Sequence, residues 1–436
     1  MNAALGELES RLVQAPLMRR AGRVMQVVGT VIEAELSNAP VGALARVGGT
    51  LAEVIGFKEN RVLLMPLGSL SGVSQGDPVQ LLSQGVRLRV GKGLIGRILD
   101  PLGNPLDDKP LTDCPYLRSL DNPAPSPLKR HRIERPLATG VRAIDGLMTL
   151  GLGQRVAIMA GSGVGKSTLL GMIARYSQAD VTVAVMVGER GREVREFIER
   201  DLGDGLQRAV LVVATSDLSP VLQVKAVQAG ISIAEHFRDQ GRNVMFMCDS
   251  LTRLAMAQRQ IGLAAGEPPT TRGYTPSVFA LLPRLLERCG PGAPRGSITA
   301  VTTVLVEGDD MNDPVADTVR GILDGHIVLS RRLASHGHFP AIDVLESLSR
   351  TMPMTTSPVQ VQAAARIRDL LATYRENEEL IRLAAYKKGS DPAVDVAIDF
   401  QKPIETILRQ DVNEHTPMKQ TVQAVHDVAR RSLKRK

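Results

Sequence analysis

A chain of 436 residues with 43% hydrophobic and 23% charged positions has room for two or three domains, each with its own core. No apolar run reaches the ~18 residues of a membrane span, and M-N-A-A-L-G-E-L-E-S-R-L lacks the cationic-then-apolar order of a secretory signal. The net charge of +7 owes part of its excess to the tail Arg430 to Lys436, and the 3 widely spaced cysteines suit a reducing cytoplasm and offer no metal spacing.

Residues 1 to about 20 are predicted to form a short amphipathic helix, with Leu5, Leu8, Leu12 and Val13 at helical spacing. From Val24 to about Val90, short β-rich runs broken by Gly, Asn and Pro have the spacing of a small β-barrel. The turn-rich G-R-I-L-D-P-L-G-N-P-L-D-D follows, and then N-P-A-P-S-P, read as an extended surface linker. After Gly140, runs such as R-V-A-I-M-A, V-T-V-A-V-M-V-G and N-V-M-F-M-C-D alternate with helical stretches. Continuous apolar runs of this kind are expected in a parallel sheet covered on both faces. From about Pro358 only helical patterns remain, with Ile367, Leu370, Leu371 and Tyr374 on one face. The expected fold class is multidomain α/β: helix 1–22, β-barrel 23–92, a parallel-sheet nucleotide domain 93–357, and a helical domain 358–436.

The stretch A-G-S-G-V-G-K-S-T-L-L, Ala160 to Leu170, fits the tolerant form of the phosphate loop, with Ala in the first glycine position. A strand precedes it and a helix-forming run follows. Gly161, Gly163 and Gly165 let backbone N–H groups converge on phosphate oxygens beside a helix N-terminus. Ser162, Val164 and Thr168 complete the expected nucleotide-binding segment. Lys166 would neutralise the β/γ-phosphates and the Ser167 hydroxyl would ligate Mg²⁺. A glycine-rich turn with a chance Gly-Lys-Ser is the rival reading, and both flanking elements count against it.

Asp249 ends the run V-M-F-M-C-D, where a carboxylate can hold Mg²⁺ through its water shell. An Asp there is otherwise most often a helix cap. Glu189, in G-E-R-G-R-E-V-R-E, ends another strand, where open α/β sheets place their chemistry. A carboxylate there could orient the water attacking a γ-phosphate. A plain salt bridge to Arg190 or Arg192 is the alternative.

These motifs, together with G-V-R-A-I-D-G-L, D-S-L-T-R, G-E-P-P-T-T-R-G-Y-T-P-S-V-F-A-L-L-P-R-L-L-E-R, V-L-V-E-G-D-D-M-N-D-P and D-G-H-I-V-L-S-R, resemble the export ATPases of flagella and type III secretion systems. Those are relatives of the catalytic subunits of rotary ATP synthases. The resemblance covers nearly the whole chain and implies a β-barrel, a RecA-like core and a helical C-terminal domain. Carried onto this sequence, it implies ATP and Mg²⁺ as ligands, Lys166 on the phosphates, Ser167 and Asp249 at the metal, and Glu189 as catalytic carboxylate. It further implies Arg190 near the γ-phosphate, Phe339 packing on adenine where relatives usually carry Tyr, and Arg350 as an arginine finger for the neighbouring subunit. A ring, a hexamer by resemblance, is then the working unit.

The acidic loop Glu307 to Pro314 is expected to meet a stalk protein through Asp309, Asp310 and Asp313, with Asp313 as a helix cap the plainer reading. The resemblance also implies a regulator and the membrane base at the N-terminal helix, and export substrates with their chaperones at the C-terminal helices, in a cytoplasmic protein held peripherally at the inner face of the membrane. Arg366 to Ser390 resembles flagellar members more than virulence-type ones. The rivals are a rotary synthase catalytic subunit, a non-catalytic ring subunit and a ring-shaped RNA motor. Residues 24 to 90 hold one aromatic, Phe57, too few for the stacking platforms of a single-strand binder, so no nucleic acid is expected.

Overall fold

The computed structural model describes residues 21–292, 295–306, 308, 310 and 313–435. The N-terminal helix expected over 1–22 lies almost wholly outside them. From residue 21 the chain forms a closed six-stranded barrel of Ala21–Val28, Val31–Glu35, Leu44–Val47, Thr50–Lys58, Arg61–Pro66 and Pro78–Ser83. Closure leaves no unpaired edge, and Ile32, Ala34, Ala45, Val47, Val54, Leu64 and Val79 fill the interior. Arg87–Val90 then leaves the barrel and pairs with Tyr116–Ser119, past the turn-rich stretch.

The nucleotide domain is built on a nine-stranded sheet. Its main order is Ile342–Ser349, Gly325–Leu329, Arg155–Ala160, Ser297–Leu305, Asn243–Asp249, Val181–Glu189, Ala209–Thr215 and Ile98–Leu99. Every pairing from Gly325–Leu329 to Ile98–Leu99 is parallel, and Ile342–Ser349 runs antiparallel at the edge. All nine residues of Val181–Glu189 are buried, which explains the unbroken apolar runs.

Alternate side chains of each strand face opposite cores. Ala157, Met159, Val183 and Val185 meet helices Pro220–Asp239, Leu251–Ala264 and Pro276–Leu286. Ile158, Ala184 and Met186 face the other way, onto Lys166–Tyr176 and a cluster that includes Ile367, Leu370, Phe400 and Val425. Those last four belong to helices Pro358–Arg382, Pro392–Leu408 and Met418–Leu433, so the helical domain shares a core with the sheet. Barrel, parallel-sheet domain and helical domain follow one another as expected.

Helix Pro220–Asp239 lies on the sheet at Gly230, where a Cβ would come within 2.2 Å of Val185 Cγ2 and 3.2 Å of Phe246 Cε2. No side chain fits without moving the helix. Gly230→Val is expected to destabilise the nucleotide domain by about 1–3 kcal/mol through overpacking. A urea midpoint followed by circular dichroism, unchanged from wild type, would contradict this close approach.

Candidate active site

Because the central strands are parallel, their carboxyl ends emerge along one edge of the sheet, and the polar groups gather there. Arg155–Ala160 leads into the phosphate loop. Gly163 and Gly165 take φ of +79° and +92°, and Gly165 caps helix Lys166–Tyr176 without a side-chain cap, leaving the first amides of the helix available to an anion. Phe339 lies against the loop: a Cβ on Gly165 would sit 3.8 Å from its ring. The half-exposed ring helps line a pocket of about 340 Å³ with Val164, Gly165, Thr168 and the loop Gln410 to Val412 of the helical domain.

Lys166 Nζ donates to Asp249 Oδ1 at 2.5 Å and lies 3.8 Å from Glu189 Oε1. Asp249 and Glu189 end two adjacent strands and are 2% and 7% exposed, so both carboxyl groups are withheld from bulk water. Thr303, on the strand between the phosphate-loop strand and the Asp249 strand, donates its hydroxyl to the same Asp249 oxygen at 2.7 Å. Burial, and then the Asp249 charge, raise the pKa of Glu189 to about 7, against the pull of Lys166. The Arg253 charge lowers it further down the order of effects. A carboxyl group of this kind, beside an anion-binding loop and a partly buried ammonium, is suited to holding and polarising a water molecule.

The remaining sequence-derived residues divide. Arg190 points to the rim, 71% exposed in its side chain and 3.6 Å from Glu193, so it is not gathered with Glu189. Arg350 follows the edge strand Ile342–Ser349. Register sets Ile342 against Leu329 and Ser349 against Gly325, while Ala160 pairs with Leu329. Arg350 therefore sits at the opposite end of the sheet from the phosphate loop, separated along the strands by about 13 Å or more at ~3.3 Å per residue. It is exposed and makes no ion pair among the described residues.

In the acidic loop, Asp313 caps helix Pro314–Ile322 by accepting from Val315 and Ala316, the plainer of the two readings. Arg272 pairs with Asp310 at 2.6 Å and with Asp313 at 3.2 Å. Asp309 lies outside the described residues.

Three family models match in series: the ATP synthase alpha/beta family β-barrel domain over residues 18–82, its nucleotide-binding domain over 140–349, and the T3SS EscN ATPase C-terminal domain over 356–427. The flagellum-specific ATP synthase of Bacillus subtilis is 51% identical over 93% of this chain and 94% of its own length. The type 3 secretion system ATPase of Xanthomonas euvesicatoria is 50% identical over 97% of each. The chain belongs to the flagellar and type III secretion ATPase family. The fold agrees with the assembled ATPase EscN of enteropathogenic E. coli at a TM-score of 0.89 and 46% identity, covering 94% of this chain and 100% of that one. EscN in complex with its central stalk EscO gives a TM-score of 0.87 at 45% identity.

Several groups that shape the site in this family member carry little signal in the sequence. Thr303 is one residue of an apolar run, marked only by a hydroxyl near the carboxyl end of a buried strand. Gln410 to Val412 carry none, since their place beside the phosphate loop depends on the packing of a separate domain.

Glu189 also ties stability to pH. A carboxyl group whose pKa is raised on folding holds its proton longer in the folded chain, so its contribution weakens as pH climbs from the ordinary 4.5 through about 7. Glu189→Gln removes that penalty. The variant should melt above wild type at pH 8, with the gap closing toward pH 5; a gap that ignores pH would contradict a raised Glu189.

Proposed function

We propose that this chain hydrolyses ATP at sites shared between copies of itself, and so powers protein export at the cytoplasmic base of a flagellar or related type III secretion apparatus. The observation that carries hydrolysis, as opposed to binding alone, is the convergence of Lys166, Glu189 and Asp249 at one edge of the sheet. Lys166 and the amides of Gly161 to Thr168 take the phosphates, Glu189 orients the attacking water, and Phe339 packs on adenine. The Glu189 pKa suits a group that must accept hydrogen bonds near neutral pH.

A Mg²⁺ ion fits the donors present. Among the described residues no group of three or more His, Cys, Asp or Glu could hold a metal alone, so the ion would be shared with the nucleotide phosphates. Ser167 would ligate it directly and Asp249 through water. When bound, the ion supplies neutralisation of charge on the phosphates. Arg190 would turn inward from the rim toward the γ-phosphate.

Arg350 lies too far from its own phosphate loop to serve it, which supports its use as a finger in a neighbouring subunit. The assembled state of EscN supports a ring, read here as a hexamer, and the EscN–EscO complex supports a stalk partner, which we assign to Asp309, Asp310 and Asp313. No described helix is long and apolar enough to cross a membrane. We therefore read attachment as peripheral, through the N-terminal helix and its regulator, with substrates and chaperones received by the C-terminal helices.

The domain limits 1–22, 23–92, 93–357 and 358–436 are part of this reading, supported at the last boundary by Ser357 capping helix Pro358–Arg382. The match to the EscN-type C-terminal domain favours export over ATP synthesis. The flagellar preference rests on residues 366–390, since relatives of both kinds are similarly close.

Steady-state ATP hydrolysis per chain should rise with protein concentration as sites are completed, and Arg350→Ala should lose on the order of 10³-fold or more of turnover at saturating protein. Constant turnover per chain, or a fully active Arg350→Ala, would sink the shared site. A second measurement addresses the acidic loop. Asp310→Lys should keep basal hydrolysis and lose most of the stimulation by the purified stalk protein, whereas undiminished stimulation would remove the loop from that contact.

A further inference from the structure

The turn that carries Arg350 is held from beneath by one buried amide. Gln154 is 0% exposed, and both ends of its side-chain amide are hydrogen-bonded. Its Oε1 accepts from the Gly151 N–H at 2.9 Å and from the Thr351 hydroxyl at 2.5 Å. Its Nε2 donates to the Asp324 carbonyl at 3.1 Å and to Ser349 Oγ at 3.1 Å. Ser349 Oγ in turn donates to the Thr149 carbonyl at 2.9 Å. Arg350's own backbone N–H donates to that same Asp324 carbonyl at 2.9 Å. Both neighbours of Arg350, and the carbonyl that Arg350 itself uses, are therefore fixed by Gln154.

We propose that Gln154 is a positioning residue for Arg350, setting where the guanidinium is presented to the adjoining subunit. This rests on the reading of Arg350 as a finger used in trans. A buried side-chain amide is stable only if all its groups are paired, and three of these four bonds go to the mount of one exposed arginine. The Arg350 side chain is not steadied by any ion pair among the described residues, so its placement depends on the backbone turn beneath it. Gln154 also directly precedes Arg155–Ala160, whose far end opens the phosphate loop. One strand thus carries this chain's own site at one end and, at the other, the mount of the group it lends.

The chemistry demands an amide at this position. A carboxylate in its place would turn the donor that faces the Asp324 carbonyl into an acceptor, at almost unchanged volume, so Gln154→Glu perturbs the turn with little change in packing. Thr351→Val keeps Gln154 and removes only the hydroxyl that faces it. Each should lower kcat roughly 10- to 100-fold, as expected for a catalytic group displaced by about 1 Å, and leave KM for ATP within about two-fold.

Mixing supplies the readout that a merely structural role would not move. Glu189→Gln subunits lack their own water-orienting carboxylate but keep an intact Arg350 and Gln154. Adding them in excess should restore turnover severalfold to Arg350→Ala chains, and equally to Gln154→Glu and Thr351→Val chains, because each then borrows a sound finger. If Arg350→Ala is rescued and the Gln154→Glu and Thr351→Val chains are not, Gln154 acts within its own subunit and the inference is overturned. If Arg350→Ala itself is not rescued, the shared-site reading fails and the inference falls with it. Should Gln154→Glu fail to fold by thermal melting, Thr351→Val decides: wild-type kcat in that variant overturns the inference.

Discussion

Parallel pairing is the constraint on which this molecule depends. Seven strands running the same way, from Gly325–Leu329 to Ile98–Leu99, must be covered on both faces, because neither face has the polar alternation that would tolerate water. Helices Pro220–Asp239 and Leu251–Ala264 cover one face, and the C-terminal helices help cover the other. The same pairing collects every carboxyl end on one edge. The phosphate loop, Asp249 and Glu189 need no special loop architecture to meet, since each carboxylate ends a buried strand and the loop directly follows one.

At that edge the electrostatics follow from burial. Two carboxyl groups and one ammonium sit where water is scarce, so their charges act on one another with little screening. Asp249 is bound by both Lys166 and Thr303, while Glu189 stands farther from Lys166 and has its pKa raised by burial first and by the Asp249 charge second. Two neighbouring carboxyl groups thereby stand in unlike settings, Asp249 tied to Lys166 and Thr303 and Glu189 raised toward neutrality by burial.

The opposite edge has a different character. There the antiparallel strand Ile342–Ser349 returns toward the amino ends of its neighbours and delivers Arg350 to the surface, over a buried bed of Gln154, Ser349 and Thr351. The reversal of a single edge strand separates Arg350 from its own phosphate loop, as its proposed use in a neighbouring subunit requires. Through that separation, a monomeric fold comes to imply an assembly.

Much of this was legible in the residues. Gly161, Gly163 and Gly165 announced a backbone shaped to hold phosphate, unbroken apolar runs announced a doubly covered sheet, and short Gly-punctuated runs announced the barrel. Other parts had no such local mark. Arg190 stands beside Glu189 in the chain yet turns outward to Glu193, because adjacent residues at a strand end point in different directions. Asp313 proved to be a helix cap paired with Arg272, a residue far away in sequence. Gln154 bears no mark in the sequence of the hydrogen bonds it makes. The sequence by itself determined the fold class, the phosphate loop and the carboxylates that accompany it, because periodicity and backbone-demanding glycines are local properties written within a few residues of where they act. Only the tertiary structure decided which side of the molecule Arg350 occupies, which amide holds it, and that a loop of the helical domain helps line the pocket beside Phe339. Those are relations between segments far apart in the chain, set by strand direction and by the packing of one domain on another.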